Sequence, residues 1–317
     1  MMHLTPGEVR KRFGPMFAKK FLVMVDEAAG RAEIIEECCH QGTIEWDAMN
    51  RMRAGGAIRS IRVDGTMMAM SARIGSYPVG FGAADREIGG QALEGVEVDG
   101  DEVVTTWRGI AGAGVGVAAC LPQAPGVLRA EYPSEDDLKV GGARATRVRI
   151  VSPRYEKVTI GIDDTDTKEE GATWVLALKA AEACRMEGAE YLNMRLIQLN
   201  PKVPKKTTNC VGSALTYAVR PDRVDDLCEA LRDYIETNAV SRDTGIAVLR
   251  GLLYPDSPLA ERVKTEFLTI EEVEAEAERL GIRYIDRAGA KGRIGALGAV
   301  LWGNAGIEAA GLYGEHL

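Results

Sequence analysis

Several absences narrow the chemistry open to this chain before any residue is singled out. No CxxC pair occurs, and the three histidines, His3, His40 and His316, form no HxxxH or HExxH unit. A zinc ribbon or zincin centre therefore lacks ligands at a workable spacing. The six cysteines are scattered, so a disulfide framework is excluded and reduced thiols are expected. Cys38, Cys39 and His40 form the one soft-ligand cluster; on a strand, adjacent side chains point to opposite faces, which favours buried small hydrophobes over a metal or redox role. No apolar run reaches membrane-spanning length, because Ile110 to Leu128 is rich in Gly and Ala and broken by Pro122, Gln123 and Pro125. Positive charge is not in excess: 39 Lys and Arg against 47 Asp and Glu leave a net charge of -8, which argues against a basic nucleic-acid coat protein. The opening residues MMHLTPGEVRKRFG lack the apolar core of a signal peptide, so a cytoplasmic location is expected. Neither a Walker A sequence nor a strict GxGxxG is present.

What remains is an ordinary globular composition, 46% hydrophobic and 27% charged over 317 residues. At about 150 residues per domain, two domains are expected, 1–150 and 151–317, with a break in the Pro-, Ser- and acid-rich stretch Pro133 to Gly142. The first half reads as a helix at Pro6 to Phe13, a buried strand at Phe21 to Val25 and a hairpin turning at Asp64-Gly65. Loops around short strands follow from Gly75 to Asp101, then a strand at Val103 to Trp107 and a small-residue helix at Ile110 to Cys120. In the second half, strands are expected at Lys157 to Ile162, Tyr191 to Leu199, Gly212 to Val219 and Ile282 to Ile285. Helices are expected at Thr173 to Met186, at Asp222 to Thr237 capped by Asp222, at Thr269 to Leu280 with a Thr269–Glu272 capping box, and at Arg293 to Trp302. The fold class is α/β or α+β, in two mixed layered domains.

Three segments could carry chemistry. Ile160 to Asp166 (IGIDDTD) sets Asp163, Asp164 and Asp166 at the end of an apolar strand, where an α/β layer binds its ligands. Carboxylates this close repel one another unless a cation neutralises them, and oxygen ligands suit Mg²⁺ bridging to nucleotide phosphates; the alternative is an acidic turn capping the next helix. Asn200 to Asn209 (NPKVPKKTTN) gathers Lys202, Lys205 and Lys206 with Thr207, Thr208 and Asn209 between stiffening prolines. Such a loop either receives phosphate oxygens or is a solvated turn. Gly292 to Ala299 (GRIGALGA), with Gly292, Arg293 and Gly295 at a helix start, either leaves backbone N–H groups open to an anion or serves close packing. Gly114, Gly116 and Ala119 fit a looser GxGxxA form without a clean βαβ setting and read as packing, a second anion site being the alternative.

GIDDTD at 161–166, the helix near Thr173, NPKVPKKT at 200–207 and GRIGALGA at 292–299 resemble, in order and spacing, the kinase-like catalytic domain of the archaeal agmatinylcytidine synthetase that modifies an isoleucine tRNA. The resemblance covers roughly residues 155 to 305; the whole chain resembles the family called methanogenesis marker protein 11. It implies that Asp163, Asp164 and Asp166 hold Mg²⁺ and ATP phosphates and that Thr173 is the phospho-acceptor, with helix capping its alternative role; Lys205, Lys206 and Arg293 are expected to lend positive charge to the phosphates. The synthetase's CTTY-like stretch is Ala172-Thr173-Trp174 here, and its KTRGNG loop is Lys206 to Val211, without the Arg and glycines. The synthetase also carries an OB domain and a zinc ribbon that find no counterpart before Leu317. The expectation is therefore an ATP- and Mg²⁺-dependent phosphotransferase or ATPase that is not the tRNA-modifying enzyme, with RNA an unlikely partner. The alternatives are a non-catalytic nucleotide-binding assembly or maturation factor docking to a protein of the methanogenesis machinery, such as methyl-coenzyme M reductase, or an RNA-modification relative.

Overall fold

The computed structural model describes residues 1–81, 89–204, 206–207, 209–287 and 291–316. Two compact units divide the chain, Met1–Tyr155 and Glu156–Leu317. The stretch Pro133 to Gly142 lies inside the first unit, where Ser134 and Asp137 close a capping box around a single helical turn. Mixed strands and helices build both units, as the alternating pattern predicts.

In the first unit the strands are β1 (Met2–Leu4), β2 (Ala18–Asp26), β3 (Arg31–Cys38), β4 (Ile58–Asp64), β5 (Met67–Arg73), β6 (Gly75–Ser76), β7 (Gly90–Asp99), β8 (Glu102–Ile110), β9 (Arg129–Tyr132) and the start of β10 (Ala145–Asp163). Eight of them run in the order β4-β5-β3-β2-β10-β8-β7-β6, while β9 pairs with β10 and β1 with β9, all antiparallel except where β10 meets β2. Helix α1 (Pro6–Phe13) starts at the Thr5–Glu8 capping box, and α2 (Gln41–Ala54) buries Ile44, Ala48 and Ala54. The expected loops between Gly75 and Asp101 are corrected in part, since Gly90–Asp99 is a ten-residue strand whose apolar side chains join the core. Ile110 to Cys120 forms one α turn and one π turn, with Gly114 packed against Gly109 of β8, rather than one regular helix. No helix among the described residues is long and apolar enough to cross a membrane.

An ionic cluster sits in this first core. Arg51 is buried, donates to Glu36 and to Gln91 at 2.9 Å, and lies 4.6 Å from the centre of the Trp107 ring. Asp47, one turn before it, is buried as well; desolvation pushes its carboxyl up to about 7, Glu36 adding to the rise and Arg51 opposing it. An acid whose folded pKa is raised stabilises the fold fully below its unfolded value of 3.8 and loses that contribution as pH climbs to about 7. Asp47→Asn should therefore flatten the fall of stability between pH 4 and pH 7 by about 1 kcal/mol per pH unit, read from denaturant midpoints. An unchanged slope would place the titration elsewhere.

The second unit is a five-stranded antiparallel sheet. Its order is β11 (Ala189–Gln198), β12 (Val211–Val219), the end of β10, β13 (Gly245–Arg250) and β14 (Arg283–Tyr284). Because every pair is antiparallel, the rule for parallel sheets that led to the strand end does not apply, and the site has another origin described below. On one face α3 (Thr173–Ala183) and α4 (Val224–Asn238) cover Val158, Ile160, Ile162, Leu215 and Val248. On the other, α5 (Leu259–Thr265), α6 (Ile270–Leu280) and α7 (Gly292–Leu301) cover Ala247, Leu249, Ile197 and Ala214. The period-two alternation of each strand thus feeds two cores.

Two sequence expectations are revised here. Asp222 does not cap α4: Pro221 opens a short 3₁₀ turn, the helix starts at Val224, and its N-cap position carries no side-chain bond. Strand β13 and helix α5 had no counterpart in the sequence reading, whereas the Thr269–Glu272 capping box of α6 is formed.

Candidate functional site

Antiparallel pairing decides what surrounds the acids. Ile162 lies opposite Ser213 of β12 and Asp163 opposite Gly245 of β13, so the loops entering β12 and β13 both arrive at the end of β10. The first is 199–210, the basic loop, which is the hairpin connection of β11 and β12 and is closed at its base by Leu199 N–H donating to the Cys210 carbonyl at 3.0 Å. The second, 240–244, braces the acidic loop: Val240 N–H donates to the Thr165 carbonyl at 3.0 Å, and Thr244 Oγ1 donates to the Asp164 carbonyl at 3.3 Å.

Helix α7 comes down on the same point. A Cβ on Gly161 would overlap the Ala296 carbonyl, one on Gly245 would overlap the Gly292 backbone, and one on Gly212 would stand 3.2 Å from the Ala299 Cβ. Three strand glycines thus face the small residues of α7, which lets helix and sheet approach backbone to backbone. The start of the helix reaches Asp163, whose carboxylate lies against Gly295 so closely that a methyl there would overlap it. Of the two alternatives posed by the GRIGALGA sequence, close packing is what these contacts show.

These elements enclose a cavity of about 340 Å³. Asp163, Asp164, Asp166, Thr173, Lys206, Thr207, Asn209 and Gly295 all line it, so the three separate motifs meet. Lys205 and Thr208 lie outside the described residues. Gly292 and Arg293 take other positions. Gly292 N–H donates to the Asp243 carbonyl at 2.8 Å. The Arg293 guanidinium lies 2.9 Å from Asp286 Oδ2, pairs with Glu274 and stacks on Tyr284.

Burial pushes the Asp163 carboxyl up to about 8, with Asp164 and Asp166 adding to the rise and the Asp164 backbone N–H opposing it. Burial likewise pushes Asp164 up to about 6, helped by Asp243 and Asp166 and opposed by Lys291. Among the described residues none of the three cavity acids forms an ion pair, and neither does Lys206, while Lys291 pairs with Asp243 at 3.0 Å. Two desolvated oxygen donors without a close ion-pair partner suit a hard cation. Among the described residues, however, no three His, Cys, Asp or Glu side chains are placed to hold a metal ion by themselves.

Thr173 is the first residue of α3, with no side-chain cap at its start. Its hydroxyl oxygen instead accepts from the Thr165 backbone N–H at 3.2 Å and lies 3.1 Å from Thr165 Oγ1, which ties the helix to the acidic loop. The capping alternative is thereby replaced by a loop clamp. Asp164 and Cys210, with φ of 59° and 55°, are two of the three non-glycine residues with positive φ among those described, and both line the cavity.

Sequence reading missed Lys291, Trp174, Phe267 and Asp243. Lys291 directly precedes the GRIGALGA motif and Trp174 directly follows Thr173, so extending each motif by one residue would have found them. Phe267, between two helices, had no local signal.

With the fold and the cavity described, the comparisons say which known proteins the chain is similar to. The family model for the TiaS TCKD domain matches residues 159–220. The chain is 30% identical over 143 residues to TiaS of Methanocorpusculum labreanum, a 2-agmatinylcytidine synthetase named for an isoleucine tRNA, covering 44% of this chain and 34% of that protein. It is 30% identical over 150 residues to the TiaS of Archaeoglobus fulgidus, covering 45% and 35%. Among solved structures, the complex of TiaS with its isoleucine tRNA and ATP is similar at 28% identity with a TM-score of 0.40, over 46% of this chain and 36% of that one. The C-terminal region thus resembles TiaS, and the chain spans about a third of the length of these synthetases. Nearly end to end, over 287 residues, 89% of this chain and 92% of the other, it is 35% identical to the Uncharacterized protein MJ0921 of Methanocaldococcus jannaschii, and it belongs to that protein's family. The narrower resemblance to methanogenesis marker protein 11 rests on the sequence reading alone.

One expectation is overturned by these relatives. RNA was set aside as an unlikely partner, yet the synthetases that the second half resembles are named for a tRNA. Net charge describes the average surface, and the average hides a local gathering of lysines such as that at 202–206.

Proposed function

We propose that this chain is an ATP-using phosphoryl-transfer enzyme whose acceptor is an RNA. The observation that carries the reading is the meeting, in one cavity, of Asp163 and Asp164, desolvated and in no close ion pair, with Lys206, Thr207 and Thr173. Phosphoryl transfer asks little covalent chemistry of a protein and much positioning and charge neutralisation, which is what such a set supplies. Asp163 and Asp164, with Asp166 beside them on the same loop, would hold a Mg²⁺ ion. The ion would neutralise phosphate charge. Lys206, Thr207 and Asn209 face the same space and would orient the phosphates, while the clamp from Thr165 to Thr173 keeps the acidic loop in place. Thr173 lines the cavity and its hydroxyl stays within reach of that loop, which supports it as an intermediate acceptor that would take the γ-phosphoryl group from ATP, releasing ADP, and pass it on to the RNA. The similarity to synthetases named for an isoleucine tRNA supports an RNA acceptor.

Calorimetric titration of the purified chain with ATP, with and without Mg²⁺, tests the first part, and transfer of labelled γ-phosphate to archaeal bulk tRNA tests the second. Metal-dependent binding is expected. No heat under either condition would sink the nucleotide reading, and binding without transfer to RNA would sink the acceptor.

A further inference from the structure

The cavity has features that phosphates and a metal leave unused. Trp174 and Phe267 both line it, and they remain 47% and 62% exposed, although large aromatic rings normally gain by burial. Scattered exposed hydrophobics are ordinary, but two rings converging on a cavity that also holds charged groups are not. Each ring is carried on a fixed support. Trp174 follows Thr173, whose hydroxyl is tied to the acidic loop, so the indole is set at the start of α3. Phe267 sits between Glu266, whose carbonyl accepts from Asn200 Nδ2 at 2.9 Å at the root of the basic loop, and Leu268, which packs on Val263 and Leu199. One ring is therefore anchored to the acidic loop and the other to the basic loop.

A ligand matched to this lining has an anionic part for Lys206 and a flat, weakly polar part for the rings. A bare polyphosphate has no use for the aromatics, and an aliphatic chain has no use for flat π faces. A nucleobase carrying phosphate satisfies both, since every base offers a face for stacking whatever its hydrogen-bonding edge.

We propose that Trp174 and Phe267 form a stacking site for the base of a nucleoside phosphate whose phosphate end meets Asp163, Asp164 and Lys206. This rests on the nucleotide reading above and extends it to base recognition. The base belongs either to the free nucleotide or to an RNA strand, and the chemistry of recognition is the same.

The test uses the full chain with three probes: Mg·ATP, Mg·tripolyphosphate and single-stranded oligocytidylate. Trp174→Ala and Phe267→Ala are expected to weaken ATP, oligocytidylate or both on the order of tenfold, with Trp174→Phe close to wild type and tripolyphosphate affinity unchanged throughout. Loss confined to ATP assigns the base of the free nucleotide, and loss confined to oligocytidylate assigns a base of the strand. If the alanine variants bind all three probes as wild type does, or lose tripolyphosphate as strongly as ATP, the stacking site is overturned while the nucleotide reading stands. If wild type binds neither ATP nor tripolyphosphate, the nucleotide reading falls and the stacking site falls with it. Because both rings are exposed, unchanged melting temperatures are expected and serve as the control for folding.

Discussion

Asp164→Asn should lower Mg²⁺-dependent ATP turnover on the order of 10²- to 10³-fold, the range seen when one preorganised electrostatic group is removed, and it should not destabilise the protein. The two halves of the expectation share a cause. Asp164 is held up at about 6 by burial first and then by Asp243 and Asp166, so at neutral pH, where it is mostly ionised, its charge costs stability in the metal-free fold. Asparagine keeps the shape, tolerates the positive φ of 59° that alanine would strain, and removes the charge. Melting of the metal-free variant at pH 8 should match or exceed wild type, a stability gained where function is lost. A purely structural acidic turn would behave in the opposite way, with turnover kept and the melting temperature lowered. Phosphate release and thermal melts on the same preparation separate the two.

Gly295→Ala should disrupt the site from its other side. The methyl would overlap the Asp163 carboxylate, and a retreat of helix α7 would give up the close packing of Ala296 on Gly161 and of Gly292 on Gly245. Asp163 must move instead. Overpacking of this kind costs about 1–3 kcal/mol, which for a unit of this size is a fall of several degrees in melting temperature. Metal-dependent ATP affinity should drop together with it. Adding Asp163→Gly to Gly295→Ala removes the obstructing side chain, so melting should recover while ATP affinity does not. A Gly295→Ala protein that melts and binds as wild type does would show that the carboxylate is free to sit elsewhere.

How much of this could be read from residues alone differs from motif to motif. GIDDTD announced itself, because an apolar strand ending in three acids is a local pattern with a local consequence. The capping box at Thr269 was legible for the same reason, its two partners standing three residues apart. Strand β13 was not, although it is the strand that carries Gly245 beside Asp163. Its six residues, GIAVLR, form a short apolar run, and such runs do not distinguish strand from helix by period. Arg293 shows the limit most clearly. A cation in a glycine-rich motif suggested phosphate, but Asp286 and Glu274, 7 and 19 residues away, claim its guanidinium. Lys291, two residues earlier, lines the cavity in its stead.

The sequence by itself determined the kind of groups available: clustered carboxylates, a basic loop and a helix of small residues. It determined as well the alternation that lets the central strands feed two cores. Only the tertiary structure decided that these groups share one cavity, that the sheet holding them is antiparallel, and that two aromatic rings stand at the same place. The reason is that hydrogen-bond pairing and helix-on-sheet packing join residues far apart in the chain. Asp163 meets Gly245 and Gly295 through backbone contacts that no local pattern encodes.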